Sequence, residues 1–214
     1  MTKSRTSTRR KSGTGRWDRS VPTELRREEQ RTRILEAATR VIASRGLSKT
    51  TVQHVLDESA VGRRSFYEHF DDLTSLVLAL ASEAGQNAFG AVEAAASKAP
   101  DPIARLQIAV DSFLGLVAAN QDLARVMFVE IRVLGPEHEI RHEAMLQRFS
   151  ALLMEGVAKA YAEGIVTRPP DELTVFALVS AVESVALRYV HRREGHRAPE
   201  AAPALIELIV RAFR

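Results

Sequence analysis

The sequence predicts an all-α fold, in which a small N-terminal unit of three helices that contains a helix-turn-helix precedes a larger helical C-terminal domain. Two observations lead to this prediction. From residue 28 onward, apolar residues recur at spacings of three and four, the period of a helix buried on one side. Glycine and proline residues interrupt that pattern at intervals suited to helix ends, and no stretch supplies the alternation of a β-strand.

The first helix is predicted over residues 28–44, with Gly46 ending it. A second helix is expected from about residue 51, because Thr50 and Gln53 have the spacing of a capping box, in which each side chain satisfies a backbone N–H of the first turn. The chain then reverses through Val61-Gly62, where glycine allows the backbone to leave the helical region.

A third helix is predicted over residues 63–70, with Phe66 and Phe70 four residues apart and facing the core of the unit. The other side chains form an exposed polar surface: Arg63, Arg64, Ser65, Tyr67, Glu68 and His69. Arginine can bind guanine with two hydrogen bonds in the major groove, and hydroxyl, phenol and imidazole groups suit phosphate oxygens. From composition alone, a solvated corner of a helical bundle would also fit.

The segment Ser65-Phe66-Tyr67-Glu68-His69-Phe70 resembles the recognition helix of TetR-family transcriptional repressors, written Thr-Phe-Tyr-x-His-Phe, and the resemblance spans about residues 31–76. It implies a homodimer that binds a palindromic operator in double-stranded DNA. It also implies roles for seven residues. The expected base contacts are Gln53 and Arg63, with Arg64 and Ser65 as second choices, and the expected phosphate contacts are Thr51, Tyr67 and His69.

Three positions depart from the family pattern. Gly62 stands where the family has serine or threonine, so the recognition helix lacks a side-chain N-cap. Arg64 replaces a small residue or proline and adds a possible DNA contact. Leu73, which follows Asp71 and Asp72, stands where the family has a lysine that binds phosphate. The fourth helix therefore lacks the cation that would make this phosphate contact.

Charge is distributed unevenly along the 214 residues, whose overall net charge is +3. Residues 1–27 carry nine basic and two acidic side chains, a net of +7, and the remainder is mildly acidic. The segment 1–27 is rich in serine, threonine and glycine, which predicts a disordered basic arm that either follows DNA phosphates or is a passive leader. The helix-turn-helix domain is then expected over 28–72, and the effector-binding and dimerisation domain over 73–214.

Composition excludes several other classes. The chain has no cysteine, so it has neither a disulfide framework nor a thiol redox sensor. No apolar run approaches the roughly 20 residues of a membrane span, and the N-terminus lacks the apolar segment of a signal peptide. We therefore expect a cytoplasmic protein with no membrane partner.

The C-terminal domain is predicted to contain six helices, which the Pro100-Asp101-Pro102, Gly135-Pro136 and Pro169-Pro170 segments separate. They are expected over 72–98, 103–117, 121–134, about 138–160, 171–194 and 204–212. In the fifth helix, Ile103, Leu106, Val110, Phe113 and Val117 form one stripe that we expect to be buried. In the eighth, two apolar faces appear, so one face should pack on its own domain while the other, with the ninth helix, pairs with a second copy.

The family resemblance implies a cavity for a small-molecule effector among the C-terminal helices. Glu130 and Glu183 lie on otherwise apolar stripes, and a buried carboxylate needs an ion-pair partner, a raised pKa or a polar ligand. The ligand-binding residues expected on this basis are Phe113, Met127, Glu130, Phe149, Phe176 and Glu183. Structural ion pairs for the two glutamates, and a core role for the aromatic residues, remain open.

The segment His138-Glu139-Ile140-Arg141-His142 matches the H-E-x-x-H pattern of zinc peptidases. Arg141 stands where those enzymes have an apolar residue, and no strands are predicted for their sheet. We therefore interpret the match as coincidental, with both histidines on the surface, and expect no metal, no cofactor and no catalytic residues.

Together these observations predict a one-component transcriptional regulator that acts as a repressor. A small molecule is expected to release it from its operator. Two alternatives remain at this point. One is a DNA-binding regulator without a small-molecule ligand, and the other is a helical zinc hydrolase that uses the H-E-x-x-H segment.

Overall fold

The computed structural model describes residues 23–214, which form helices and connecting turns without a β-strand in that part of the chain. The α-helices are α1 (Thr23–Arg45), α2 (Val52–Ser59), α3 (Arg63–Tyr67), α4 (Leu73–Ala96), α5 (Pro102–Ala119), α6 (Gln121–Phe128), α7 (Pro136–Ala162), α8 (Glu172–His191) and α9 (Ala202–Ala212). Short 3₁₀ helices cover Leu47–Lys49, Glu130–Leu134 and Gly195–Ala201. The predicted all-α fold is confirmed.

Helix α1 begins before the position expected from the sequence. It starts at Thr23 rather than at residue 28, so the last residues of the predicted arm form its first turn. Most of that arm, residues 1–22, lies outside the described residues.

The N-terminus of α2 is capped differently from the prediction. Thr51, not Thr50, is the N-cap, and its hydroxyl accepts from the backbone N–H of His54 while the His54 ring accepts from the N–H of Thr51. Thr50 is buried, and its hydroxyl donates to the carbonyl of Gly46 at 2.9 Å. Because His54 completes the capping box, Gln53 is free to point outward.

The turn between α2 and α3 also differs in its detail. The residue with a left-handed backbone is Ala60, at φ 52°, whereas Gly62 has an ordinary extended conformation at φ −67° and caps α3 without a side chain. Helix α3 is only five residues long, shorter than the predicted 63–70. Phe66 and Phe70 are buried as expected, at 0% and 5% exposure.

The helix-turn-helix packs against α1 through apolar contacts and through two arginines, and a third arginine joins α1 to α4. Arg33 donates to the carbonyl of Ser59, at the C-terminal end of α2, over 2.6 Å. Such a cation at a helix C-terminus satisfies a carbonyl that the helix leaves free. Arg40 binds Glu58 at 2.8 Å, and Arg31 forms a two-pronged ion pair with Glu83 of α4.

The apolar interior divides into two cores, and α6 contributes to both. The first core joins α1, α2, α3 and the start of α4, and it also includes Val126 and Ile131. The second core contains Ala124 together with residues of α5, α7, α8 and α9. The sixth helix expected over 121–134 ends at Phe128 and continues as a 3₁₀ helix. The N-terminal unit is therefore packed directly on a helix of the C-terminal domain.

Two helices, α5 and α8, are long and apolar enough to cross a membrane by length and composition alone. The uninterrupted apolar runs in both helices are shorter than a span, because charged residues such as Asp111 and Glu183 interrupt them. In the fold, apolar side chains of both helices pack in the second core or line the cavity described below.

Candidate functional site

The exposed face of the helix-turn-helix brings the two expected base-contacting residues together. A terminal guanidinium nitrogen of Arg63 donates to Oε1 of Gln53 at 2.5 Å, and Nε2 of Gln53 donates to Oδ1 of Asp57 at 2.7 Å. All of these contacts are exposed. The side chains of α2 and α3 are thus joined across the turn, where both can be offered to one groove of DNA.

Other expected DNA contacts surround this pair. Arg64 is almost fully exposed and forms an i,i+4 pair with Glu68 at 3.2 Å. Tyr67 is 48% exposed and packs edge-on against Phe66, which leaves its phenol at the surface. Thr51 is exposed at the N-terminus of α2, and Ser65 is half-buried.

His69 is placed less favourably for a phosphate contact. Its Nε2 is buried and has no hydrogen-bond partner among the described residues. Burial lowers the pKa of this imidazole, and the neighbouring Arg27 and Arg31 lower it further. The ring is therefore neutral and turned toward α1, so a phosphate could reach only its other nitrogen.

A cavity of about 810 Å³ lies inside the C-terminal domain, at the upper end of the range for ligand pockets. Its wall follows α7 from His138 to Ala160, which is about 33 Å of helix at 1.5 Å per residue. Residues of α4, α5, α6, α8 and α9 complete the wall, which is predominantly apolar. The cavity is thus long and suited to an extended apolar molecule.

Four of the six residues predicted to bind a ligand line this cavity: Phe113, Met127, Phe149 and Glu183. All five residues of the stripe on α5 line the cavity. Val110 and Val117 are buried in the second core as expected, whereas Ile103, Leu106 and Phe113 are only partly buried. Phe149 stacks edge-on between Phe89 and Phe113, with ring centroids 5.3 and 5.9 Å apart.

Most exposed polar side chains of the cavity wall lie on α4 and α7, and we infer that the cavity opens on this side. The exposed members of its wall are concentrated there, with Gln86 and Asn87 on α4 and Arg141 and Arg148 on α7. The guanidinium of Arg148 lies 4.1 Å from the ring centroid of Phe89, a cation–π contact. Two arginines therefore flank the opening.

Glu130 and Phe176, which were also expected to contact a ligand, do not belong to the cavity wall. One carboxylate oxygen of Glu130 accepts from the backbone N–H of Leu47 at 3.1 Å, and the other pairs with Arg125 at 2.9 Å. This carboxylate consequently joins the end of α6 to the 3₁₀ turn that precedes the helix-turn-helix. The sequence left open whether Glu130 binds a ligand or forms a structural ion pair, and its contacts are those of a structural ion pair.

The sequence predicted surface positions for His138 and His142. Both side chains belong to the cavity wall instead. His138 is 7% exposed, and its ring lies 5.6 Å from that of His142. The spacing could have identified them, since both fall on the same helical stripe as Met145 and Phe149. The described residues contain no group of three histidine, cysteine, aspartate or glutamate side chains placed to hold a metal ion.

The pKa values of the two imidazoles are shifted in opposite directions. Nε2 of His142 lies 3.2 Å from Oε1 of Glu183, and this hydrogen bond raises the pKa of His142. Burial lowers the pKa of His138, and the nearby His142 lowers it further. The wall of an otherwise apolar cavity thus holds a hydrogen-bonded histidine–carboxylate pair beside a second, more deeply buried histidine.

Comparison with known proteins gives two family matches. The model for bacterial regulatory proteins of the tetR family matches residues 34–80, and the model for the tetracyclin repressor-like C-terminal domain matches residues 99–212. The HTH-type transcriptional activator FasR of Mycolicibacterium smegmatis is 27% identical over 113 residues, which are 53% of this chain and 52% of that relative. The chain thus spans about half the length of this curated relative.

Solved structures share the architecture over most of the chain. The fatty acid degradation regulator FadR from Bacillus halodurans has a TM-score of 0.79 and 20% identity, covering 86% of this chain and 96% of that chain. The transcriptional regulator FadR from Bacillus subtilis, in complex with stearoyl-CoA, has a TM-score of 0.76 and 17% identity, covering 86% and 99%. At these identities the structures establish the fold.

Proposed function

Because the chain belongs to the TetR family of transcriptional regulators, we propose that it is a cytoplasmic one-component repressor that binds a palindromic operator as a homodimer. A small molecule in the C-terminal cavity releases it from DNA. The observation that carries this proposal is the position of α6. Leu123 and Met127 line the cavity, and Val126, between them on the same helix, is buried in the core of the helix-turn-helix unit, against which Leu123 also packs.

DNA recognition is assigned to the exposed face of α2 and α3. Gln53 and Arg63 contact bases, with Arg64 and Ser65 beside them, and Thr51 and Tyr67 bind phosphates. His69 contributes only through the nitrogen that is not enclosed. Replacing Arg63 by alanine should weaken binding to the cognate site by roughly 1–3 kcal/mol and relax preference at one base pair, because a bidentate base contact is lost.

The dimer is assigned to the outward face of α8 and α9. Large apolar side chains are exposed there, with Leu173 at 78% and Leu208 at 48%. Small residues between them, among them Ala177 and Ser180, would let two copies of α8 approach closely. Val182, on another side of α8, lines the cavity of its own subunit. Pairing on this face would place the recognition helices about 34–36 Å apart, one turn of DNA.

The proposed effector is an elongated apolar molecule with a charged or polar head, and a long-chain acyl thioester has this form. Three features support this class: the volume of the cavity, its length of about 33 Å along α7, and the arginines at its opening, which suit an anionic head group. The structural neighbour from Bacillus subtilis binds stearoyl-CoA, which agrees with this choice.

The test is an operator selection from random duplexes, followed by titration of the selected duplex with stearoyl-CoA. We expect an inverted repeat, and we expect the acyl thioester to lower operator affinity. Selection of an operator that no acyl thioester releases would favour the alternative of a regulator without such a ligand. Failure to select any sequence would contradict the assignment of the DNA-reading face.

A further inference from the structure

The wall of the cavity contains one polar cluster, formed by His138 and His142 of α7 and Glu183 of α8. These side chains lie at the N-terminal end of α7, where the first residues of that helix meet α8. Nε2 of His142 is bound to Oε1 of Glu183 at 3.2 Å, and the His138 ring stacks at a tilt beside it, 5.6 Å away. The arginine-flanked opening lies within a few turns along the same helix.

His138 has polar atoms that the described protein does not satisfy. Its side chain is more than nine-tenths buried, it lines the cavity, and no hydrogen bond links its ring to another described residue. A neutral imidazole offers one N–H donor and one acceptor nitrogen. Neither ring nitrogen is sealed off from solvent, so both can be reached from the open space of the cavity, where a ligand atom could take the place of water as the hydrogen-bond partner. The ring therefore faces a position where a polar ligand atom would be stabilised.

The charges of the cluster select what that atom can be. Glu183 is paired with His142 at 3.2 Å and raises its pKa, which favours the charged form of that imidazole, whereas burial of His138 favours its neutral form. An anionic ligand group at this position would meet the carboxylate of Glu183, and a cationic group would meet the imidazolium of His142, both in an apolar cavity where such repulsion is little screened. A hydroxyl or carbonyl oxygen meets neither penalty and can accept a hydrogen bond from His138.

We propose that the cluster of His138, His142 and Glu183 is a recognition subsite for an uncharged oxygen group of the effector, a hydroxyl or carbonyl carried on a long apolar chain. This inference rests on the proposed ligand-binding function and deepens it. The apolar wall binds the aliphatic chain of the effector, and the arginines of the opening suit its anionic head. The cluster distinguishes effectors by the oxygen group that lies next to that head.

The experiment compares probes of equal chain length that differ only in the polar group: dodecanol, methyl dodecanoate, dodecanoate and dodecylammonium. Binding to the full-length protein is measured by isothermal titration calorimetry. Three variants are compared with the unaltered protein. His138→Leu removes the hydrogen-bonding atoms, His138→Gln keeps a donor and an acceptor, and Phe149→Leu alters the apolar wall away from the cluster.

We expect dodecanol and the methyl ester to bind more tightly than dodecylammonium, and His138→Leu to weaken the two neutral probes about ten-fold, as one buried hydrogen bond would. Dodecanoate, which the arginines can hold at the opening, should lose less than two-fold in His138→Leu. His138→Gln should retain the preference for neutral probes, and Phe149→Leu should weaken all four probes alike.

Two outcomes would overturn the inference, and they are distinguishable. If the probes bind but the neutral probes lose no more than dodecanoate in His138→Leu, the cluster is not a recognition subsite, while the proposed ligand site stands. If no probe binds the unaltered protein, the ligand-binding function itself is refuted together with the subsite. If His138→Leu is unfolded, the order of the probes in the unaltered protein decides, and dodecylammonium that binds as tightly as dodecanol would overturn the subsite.

Discussion

Replacing Glu130 by alanine should destabilise the protein and weaken the connection between its two domains. The carboxylate side chain is only 14% exposed and accepts from the N–H of Leu47, which is itself buried. Its removal leaves that N–H unpaired and leaves Arg125 without its partner. A hydrogen bond to a charged group contributes about 1.5–3 kcal/mol, and a partly buried ion pair adds less than a fully buried one. We therefore expect a loss of about 2–3 kcal/mol.

The measurement is the free energy of unfolding from urea titrations followed by circular dichroism. Glu155→Ala is the matched control, because Glu155 pairs with Arg105 in the same domain but is 67% exposed, so its loss should cost about 0.5 kcal/mol or less. Glu130→Gln, which keeps an oxygen for Leu47, should lie between the two. A loss for Glu130→Ala no greater than that for Glu155→Ala would refute the role assigned to this carboxylate.

Three further predictions concern the turn, the cavity and the dimer. Ala60→Gly should raise the free energy of unfolding by about 1 kcal/mol, because glycine adopts the left-handed φ of 52° without strain, whereas Ala94→Gly inside α4 should lower it by about as much. Glu183 raises the pKa of His142, so the hydrogen bond between them stabilises the folded protein fully below the unfolded pKa of about 6.5. This stabilisation is lost as pH rises through the folded pKa, and the free energy of unfolding then falls by less than about 1.4 kcal/mol per pH unit. His142→Gln should lack this loss in unfolding titrations from pH 6 to 8.5, and an equal slope in both proteins would contradict the assignment. Leu208→Glu should yield monomers in analytical ultracentrifugation, while Ile140→Glu, at a still more exposed apolar position on α7, should remain dimeric.

The sequence was sufficient for the fold class and for the family. Helical spacing and the glycine and proline breaks located the helices to within a few residues, with the largest error at α6, where the helix ends at Phe128 and tightens to a 3₁₀ helix. The aromatic spacing of Phe66 and Phe70 identified the buried side of α3, because in so short a helix only one side can face the core.

Local details were decided by contacts that spacing does not reveal. Thr50 with Gln53 and Thr51 with His54 have the same separation, and the burial of Thr50 against Gly46 determines which pair caps α2. Glu130 accepts from the backbone N–H of Leu47, which is 83 residues away in the chain. The pattern around Glu130 could therefore indicate that its carboxylate is partly buried, but it could not identify the donor.

The cavity was the feature least accessible to sequence reasoning. An apolar stripe on a helix has the same pattern whether it packs into a core or lines an open space, which is why the stripe on α5 was expected to be buried. The histidines of α7 were misplaced for a related reason. Their polarity indicated the surface, whereas a polar group inside a protein is acceptable when a partner such as Glu183 lies beside it.

The most direct test of the account is whether filling the cavity abolishes the response to ligand without affecting DNA binding. Gly156 lines the cavity, and a Cβ added there meets no atom within 4 Å, so Gly156→Phe would occupy the ligand space. Gly90 on α4 is equally open but lies outside the cavity wall, so Gly90→Phe is the matched control. Operator affinity is measured by fluorescence anisotropy with and without stearoyl-CoA. We expect the ligand to lower affinity about 5- to 150-fold in the unaltered protein and in Gly90→Phe, and to leave Gly156→Phe bound to DNA with unchanged affinity. Equal release of all three proteins at the same ligand concentration would show that the effector does not act through this cavity.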